Sequence, residues 1–330
     1  MKKIFLMAAV ACMALVGCKQ NSEPAQAQEP QDEGATVYMT TEVSPEALIN
    51  IYEALGVKAE GRVAVKISTG EAGGNNYLHP ELIGDFVKHV GGKLVECNTA
   101  YGGSRQETAK HMKTIEEHGF NTIGGVDIMD ADGEMQIPVR DTTYIKYDIV
   151  GKNLANYDFM INLAHFKGHA MGGFGGVLKN ASIGVASTAG KCYIHSNGED
   201  TNPATTWSNL KEENQDKFLE CMATAAAAVH DYMKGKVLYI AVMNNISIDC
   251  DCDGNPHAPE LKDMGILAST DPVALDQACY DLVYNHKDSE GDNAASLRQR
   301  IDKQHGIHTV EHAEAIGLGT RKYHIVSIQK

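Results

Sequence analysis

Three short stretches concentrate the side chains that do chemistry. The first reads Asn98-Thr-Ala-Tyr101-Gly-Gly-Ser-Arg105, followed by Thr108 and His111. A glycine-rich turn leading into a helix exposes backbone N–H groups to an anion. Arg105 adds a planar cation suited to a carboxylate or phosphate. Asn98, Tyr101, Arg105 and His111 are therefore candidates for binding an anionic ligand or cofactor, against the plainer alternative of a tight turn with a solvated arginine. The second stretch runs from His165 to Asn180 and carries Lys167, His169 and Lys179, with five glycines at 168, 172, 173, 175 and 176. Gly172, Gly173, Gly175 and Gly176, with Asn180, would let the backbone approach a bound group closely. Two imidazoles and two amines suit proton transfer or metal ligation, so His165, Lys167, His169 and Lys179 are the catalytic candidates. Histidines that merely hydrogen-bond the backbone are the plainer alternative. The third stretch is Asp249-Cys250-Asp251-Cys252-Asp253-Gly254, with His257 close behind. Two thiolates two residues apart can hold one metal ion with help from His257 or His169, or they can close as a reducible disulfide. Both possibilities stand at this level.

Each stretch follows a segment that reads as a β-strand. Lys93–Asn98 precedes the first, Tyr157–Ala164 the second and Lys236–Asn244 the third, and Arg62–Ser68 is a further strand. Gly125–Asp130 is shorter. Helical spacing appears over His79–Val90, Glu107–His118, Asn214–Met233 and Asp271–Tyr284, while the glycine run from 165 to 180 favours a loop. Ser187–Asn209 is polar and turn-rich and reads as an excursion near the site. Strands alternating with helices predict an α/β fold, mainly a parallel sheet with helices on both faces, as one domain over residues 36–330 or as two lobes. In such sheets ligands bind beyond the carboxyl ends of the strands, where all three stretches lie.

Four motifs in fixed order make the chain recognisable: YLHPELIGDFV from Tyr77, NTAYGGSRQETAKHMKTIEEHGF from Asn98, INLAHFKGHAMGGFGGVLKNASIG from Ile161, and CDCDGNPHAPELKDMGILASTDPVALDQACYDLV from Cys250. Together they resemble the domain-of-unknown-function 362 family, often labelled uncharacterised iron–sulfur-centre proteins. The resemblance implies a metal ion or iron–sulfur centre. Many relatives carry a C-x-x-C-x-x-C run; this chain has none, so a cluster held by that module is excluded. The segment from His169 to Lys179 is also similar to a glycine-rich loop of nickel-pincer lactate racemases, which would make Lys179 and His169 direct contacts of a cofactor.

The N-terminus supplies an address. Lys2-Lys3 precedes an apolar run from Ile4 to Val16, shorter than the roughly 20 residues a spanning helix needs. Leu15-Val16-Gly17-Cys18 closes it like a lipoprotein cleavage site. We expect a signal peptide over 1–17, acylation of Cys18, a flexible tether over 18–35, and a protein exported and held at a bacterial membrane by its lipid. No twin arginine is present, so passage as an unfolded chain disfavours a cluster assembled before export. The net charge of −14 argues against nucleic acid or anionic lipid as a partner; Arg105, Lys167 and Lys179 are the reason to expect a small anionic ligand. From these readings we expect a metal-binding lipoprotein with a possible redox role. The alternatives are an isomerase, racemase or oxidoreductase acting on a small hydroxy acid, and a non-catalytic binding protein.

Overall fold

The computed structural model describes residues 34–328. The signal, Cys18 and almost all of the tether lie outside that range. In chain order the first half runs β1 (Ala35–Thr40), α1 (Pro45–Ala54), β2 (Val63–Lys66), α2 (Pro80–His89), β3 (Lys93–Glu96), α3 (Thr108–Glu117), β4 (Val126–Ile128), β5 (Glu134–Ile137) and β6 (Asp148–Gly151). Then follow β7 (Phe159–His165), β8 (Lys167–His169), β9 (Gly173–Gly175), α4 (Val177–Ala181), α5 (Thr188–His195), α6 (Pro203–Asn209) and α7 (Gln215–Tyr232). The chain ends with β10 (Val237–Met243), β11 (Gly265–Ser269), α8 (Pro272–Asn285), α9 (Ala295–Lys303), α10 (His308–Ala315) and β12 (Tyr323–Ser327). The described residues pack as one compact unit rather than as two lobes.

The main sheet has eight strands in the order β12-β1-β11-β10-β7-β2-β3-β4. All neighbours are parallel except those of β11, which runs against both β1 and β10. This is the mainly parallel α/β sheet that the alternation of elements predicts. The central strands β7 (FMINLAH) and β10 (VLYIAVM) are buried at every position, as strands covered on both faces must be. Their side chains alternate between two cores. Met160 and Ala164 of β7 join Tyr239 and Ala241 of β10 under α4, α7 and α8. Phe159, Ile161 and Leu163 join Leu238, Ile240 and Val242 under α1 and α2. Each buried Leu, Ile or Phe contributes about 1.5–3 kcal/mol, so the register of these strands is set by packing on both sides. The parallel strands β2, β3, β7 and β10 end at Lys66, Glu96, His165 and Met243, and the first three of these ends carry polar side chains at one edge of the sheet.

Two local expectations change. The 165–180 segment is not a loop: Lys167–His169 and Gly173–Gly175 pair as a hairpin, and a one-turn helix α4 follows. Ser187–Asn209 contains two helices, each opened by a side-chain cap: Ser187 Oγ accepts from Gly190 N, and Asn202 accepts from Ala204 N. Small and polar residues such as Thr188, Ala189 and Gly190 hide the helical spacing, while the caps supply the start signal. Among the described residues no helix is long and apolar enough to cross a membrane.

Candidate active site

Glycine brings the three stretches together. Gly168 N donates to Ser247 O at 2.8 Å, and a Cβ on Gly168 would collide with the Ile248 carbonyl. The β8–β9 hairpin can therefore lie directly on the backbone that leads to Cys250. A fourth segment, after β2, closes the other side. Glu71 N donates to Asp251 O at 2.7 Å, and Gly73 and Gly74 pass against the carbonyls of Gly254 and Asp253. Asp276, reaching over from α8, accepts from Val177 N and Leu178 N at 2.8 and 2.9 Å and fixes the start of α4. Gly176 leaves the room its carboxylate needs.

These segments enclose a cavity of about 300 Å³ lined by Tyr101, Arg105, Lys167, His169, Lys179, Cys250 and Cys252 among others. The three stretches thus converge. Their members do not all face the space. Asn98 and His111 lie behind it: His111 is fully buried against Asn98 Oδ1, Glu96 Oε2 and Thr69 Oγ1. Gly175 and Gly176 line the cavity. Gly172 and Gly173 do not, and Gly173 packs on Gly306 instead. Asn180 is saturated, donating to Lys66 O and Asn162 Oδ1 while accepting from Lys66 Nζ. It orients a lysine rather than a ligand.

Arg105 corrects the anion-clamp expectation. Its guanidinium lies 2.8 Å from Glu96 Oε1, 3.4 Å from Glu71 Oε2 and 3.0 Å from the Tyr101 hydroxyl, and the residue is buried. Burial would push the Glu96 carboxyl up, but Arg105 and then His111 hold it well below the usual carboxylate range. Arg105 is spent on two carboxylates of its own chain, and burial raises the Tyr101 hydroxyl to about 12. A second buried cluster centres on Asp251. Asp251 accepts from Lys167 Nζ at 2.7 Å and meets His165 Nδ1 at 2.8 Å, while His165 Nε2 faces Asn244 O at 2.6 Å. Both nitrogens of His165 therefore face oxygen acceptors, which leaves neither for metal or substrate. His257 is not brought in either: its exposed ring pairs with Asp249, away from the cavity.

Lys179 stands apart from the other lysines lining the space. Lys66 donates to Ile67 O and Asn180 Oδ1, Lys167 to Asp251, and Lys191 to Ala186 O. Among the described residues the Lys179 amine has no hydrogen-bond partner. Burial, then the charge of Lys167, bring it down to about 7, with Asp251 opposing and Lys66 and Lys191 adding to the fall. Burial brings Lys66 down to about 8 against the pull of Glu96.

Two histidines face the same space with opposite hydrogen-bonding polarity. His169 Nδ1 accepts from Met171 N and Gly172 N at 3.2 and 2.9 Å, and burial followed by Lys179 holds its protonation well below the ordinary value. The neutral ring therefore carries its proton on Nε2. His195 does the reverse. Its Nδ1 donates to Lys191 O at 2.7 Å, and burial keeps it neutral down to about 4, leaving Nε2 as an open lone pair. Phe218 stacks on the ring and Trp207 meets its edge. Sequence reasoning missed His195, Lys66 and Lys191. Only the placement of Ser187–Asn209 near the site hinted at His195.

The thiols supply the last feature. Cys250 and Cys252 are joined as a disulfide. The two sulfurs and a ring nitrogen of His169 lie within 4.8 Å of one another and could hold a metal ion once the bridge is reduced. Cys97, Cys192, Cys221 and Cys279 are free and buried; burial pushes the Cys97 and Cys279 thiols far up, so they are inert.

The family model described as "Domain of unknown function (DUF362)" matches residues 63–281. No curated protein matches the chain. Among solved structures, the chain is similar to the lactate racemase apoprotein from Thermoanaerobacterium thermosaccharolyticum, with 13% identity and a TM-score of 0.42. That match covers 77% of this chain and 58% of the other, so the chain spans less than two thirds of that structure. With the family model spanning most of its length, this chain belongs to the DUF362 family.

Proposed function

We propose that the cavity is the active site of an enzyme performing proton transfer on a small carboxylate, such as a hydroxy acid, and that acylated Cys18 holds the protein at a bacterial membrane. The observation that carries the reading is the Lys179 amine, half-buried and, among the described residues, without a hydrogen-bond partner in a space it shares with Lys66, Lys167 and Lys191. Amines crowded in low dielectric attract an anion strongly. A bound carboxylate would accept a hydrogen bond from Lys179. His195 Nε2 is placed to take a proton, and His169 Nε2–H is placed to donate to a hydroxyl or carbonyl oxygen. Neutral imidazoles suit such exchange near neutral pH.

Calorimetric titration with lactate and glycolate, beside inorganic phosphate, tests the binding step. The reading expects a carboxylate to bind and Lys179→Met to abolish binding without altering the fold by circular dichroism. Exchange of substrate carbon-bound hydrogen in heavy water, lost in His195→Gln, tests the chemistry. Absence of carboxylate binding by the wild type would overturn the reading.

A second reading is favoured by the grouping of His169, Cys250 and Cys252. Two thiolates and one imidazole suit a single soft ion with an open fourth position, and an iron–sulfur cluster held by four cysteines suits this donor set less well. The thiols must first be reduced, and His169 must give up at least one of the amide donors on Nδ1. The ion would act there as a Lewis acid beside the lysines. Stoichiometric zinc or cadmium uptake by reduced protein, lost in Cys250→Ser/Cys252→Ser, supports it; equal near-zero uptake in both ends it.

A further inference from the structure

We infer that Lys179 forms a covalent imine with small 2-oxo acids that enter the cavity. The inference rests on the reading of this space as a small-carboxylate site and adds a covalent step to it. The geometry singles out one amine. Lys66, Lys167 and Lys191 each spend their protons on carbonyl, amide or carboxylate oxygens, whereas Lys179 has no such partner. Its position is firm because α4 is capped by the Asp276 carboxylate at two backbone N–H groups. The neighbouring ammoniums disfavour a second charge on Lys179 and draw in the carboxylate of a ligand, which places the adjacent carbonyl beside a neutral amine.

The space also holds what a carbonyl needs. Thr99 lines it, and its buried hydroxyl has no hydrogen-bond partner. His195 Nε2 is an open proton acceptor, held in place by the hydrogen bond from Nδ1 to Lys191 O. In the first step the Nζ lone pair forms a bond to the carbonyl carbon, and the carbonyl π pair moves to oxygen. One proton leaves Nζ for His195 Nε2 and passes to that oxygen, giving a carbinolamine. The hydroxyl then leaves as water as the nitrogen lone pair forms the C=N bond, and the proton that completes the water is replaced by the second Nζ proton, relayed through His195 Nε2. The balance is amine plus carbonyl giving imine plus water, with no oxidant or reductant consumed.

The test uses the full-length chain incubated with pyruvate and sodium borohydride, followed by intact mass measurement and peptide mapping. One reduced adduct per chain, mapped to Lys179, is the expected result. Lactate, which has no carbonyl, should give none, and Lys179→Arg should lose the adduct while retaining the wild-type circular dichroism spectrum. Mapping on the wild type decides the question even where a variant folds poorly. No adduct, or labelling spread over surface lysines, overturns the inference. Lactate titration on the same preparation separates the two failures. Lactate binding without an adduct defeats the imine alone, and loss of binding to both acids defeats the carboxylate site itself.

Discussion

Replacing Asp251 by Asn should be one of the most damaging single-atom changes in this protein. The carboxylate is fully buried between two donors, Lys167 Nζ at 2.7 Å and His165 Nδ1 at 2.8 Å. An amide offers one acceptor oxygen where the carboxylate offers two, so its NH₂ would face a donor. Breaking a buried ion pair from one side costs about 3–5 kcal/mol, because the remaining charge stays buried without compensation. That is roughly two to nearly four decades in the folding equilibrium. Urea denaturation at pH 7 measures it. Exposed Glu107, paired with Lys110 on the surface, is the control: Glu107→Gln should barely move the midpoint. Lys167→Met in the Asp251→Asn background removes the stranded ammonium and should recover part of the loss, a coupling of about 0.5–3 kcal/mol. The pH dependence has a definite sign. Burial would raise the Asp251 carboxyl, but Lys167 and then His165 hold it well below the usual range. Its contribution is therefore full above about pH 4, where the unfolded carboxyl has ionised, and is lost as pH falls toward the folded-state value. A cost below about 1 kcal/mol, or strict additivity with Lys167→Met, would refute this account of the cluster.

Three further outcomes follow from the same geometry. Gly168→Ala should separate the β8–β9 hairpin from Ile248 and cost about 1–3 kcal/mol, read as a lowered denaturation midpoint together with weakened carboxylate binding. Because Lys66 and Lys179 lose their protons near 8 and 7 when folded and near 10.5 when not, the unfolded chain binds more protons between those values. Their contribution to stability should therefore rise with pH from about 7 to 10, and Lys179→Met should flatten that rise in pH-dependent urea titrations. Metabolic labelling with a radioactive fatty acid should mark the wild-type chain and leave Cys18→Ser unlabelled; equal labelling would remove the proposed anchor.

The frame of this fold is legible where packing leaves little choice. The segments around β2, β7 and β10 are mostly apolar because both faces are covered, and the loops after them and after β3 reveal the site edge. The reversal of strand β11 is invisible in the sequence, because a short apolar run such as GILAS carries no sign of which way it will pair. Helix α5 escapes notice because Thr188, Ala189 and Gly190 carry no apolar stripe, and with it goes His195, whose open nitrogen follows from a helical hydrogen bond to Lys191 O. Lys167, His169, Lys179 and the cysteine pair were identifiable by type and spacing. The role of Arg105 was not, since Glu96 on the strand before it and Glu71 from the segment after β2 neutralise it only once the chain has folded. His165 likewise changes meaning only when Asp251 and Asn244 are seen on its two nitrogens. A sequence gives the chemical type of a side chain; what remains free for a ligand depends on which partners the fold has already supplied.

The most direct measurement is the ionisation of one amine. Competitive acetylation of the native protein across pH, resolved by peptide mass spectrometry, follows Lys179 separately from every other lysine. The account predicts half-maximal reactivity near pH 7 and protection by a bound small carboxylate. Half-maximal reactivity near 10.5, with no protection, would show an ordinary ammonium in an ordinary crevice and would contradict it.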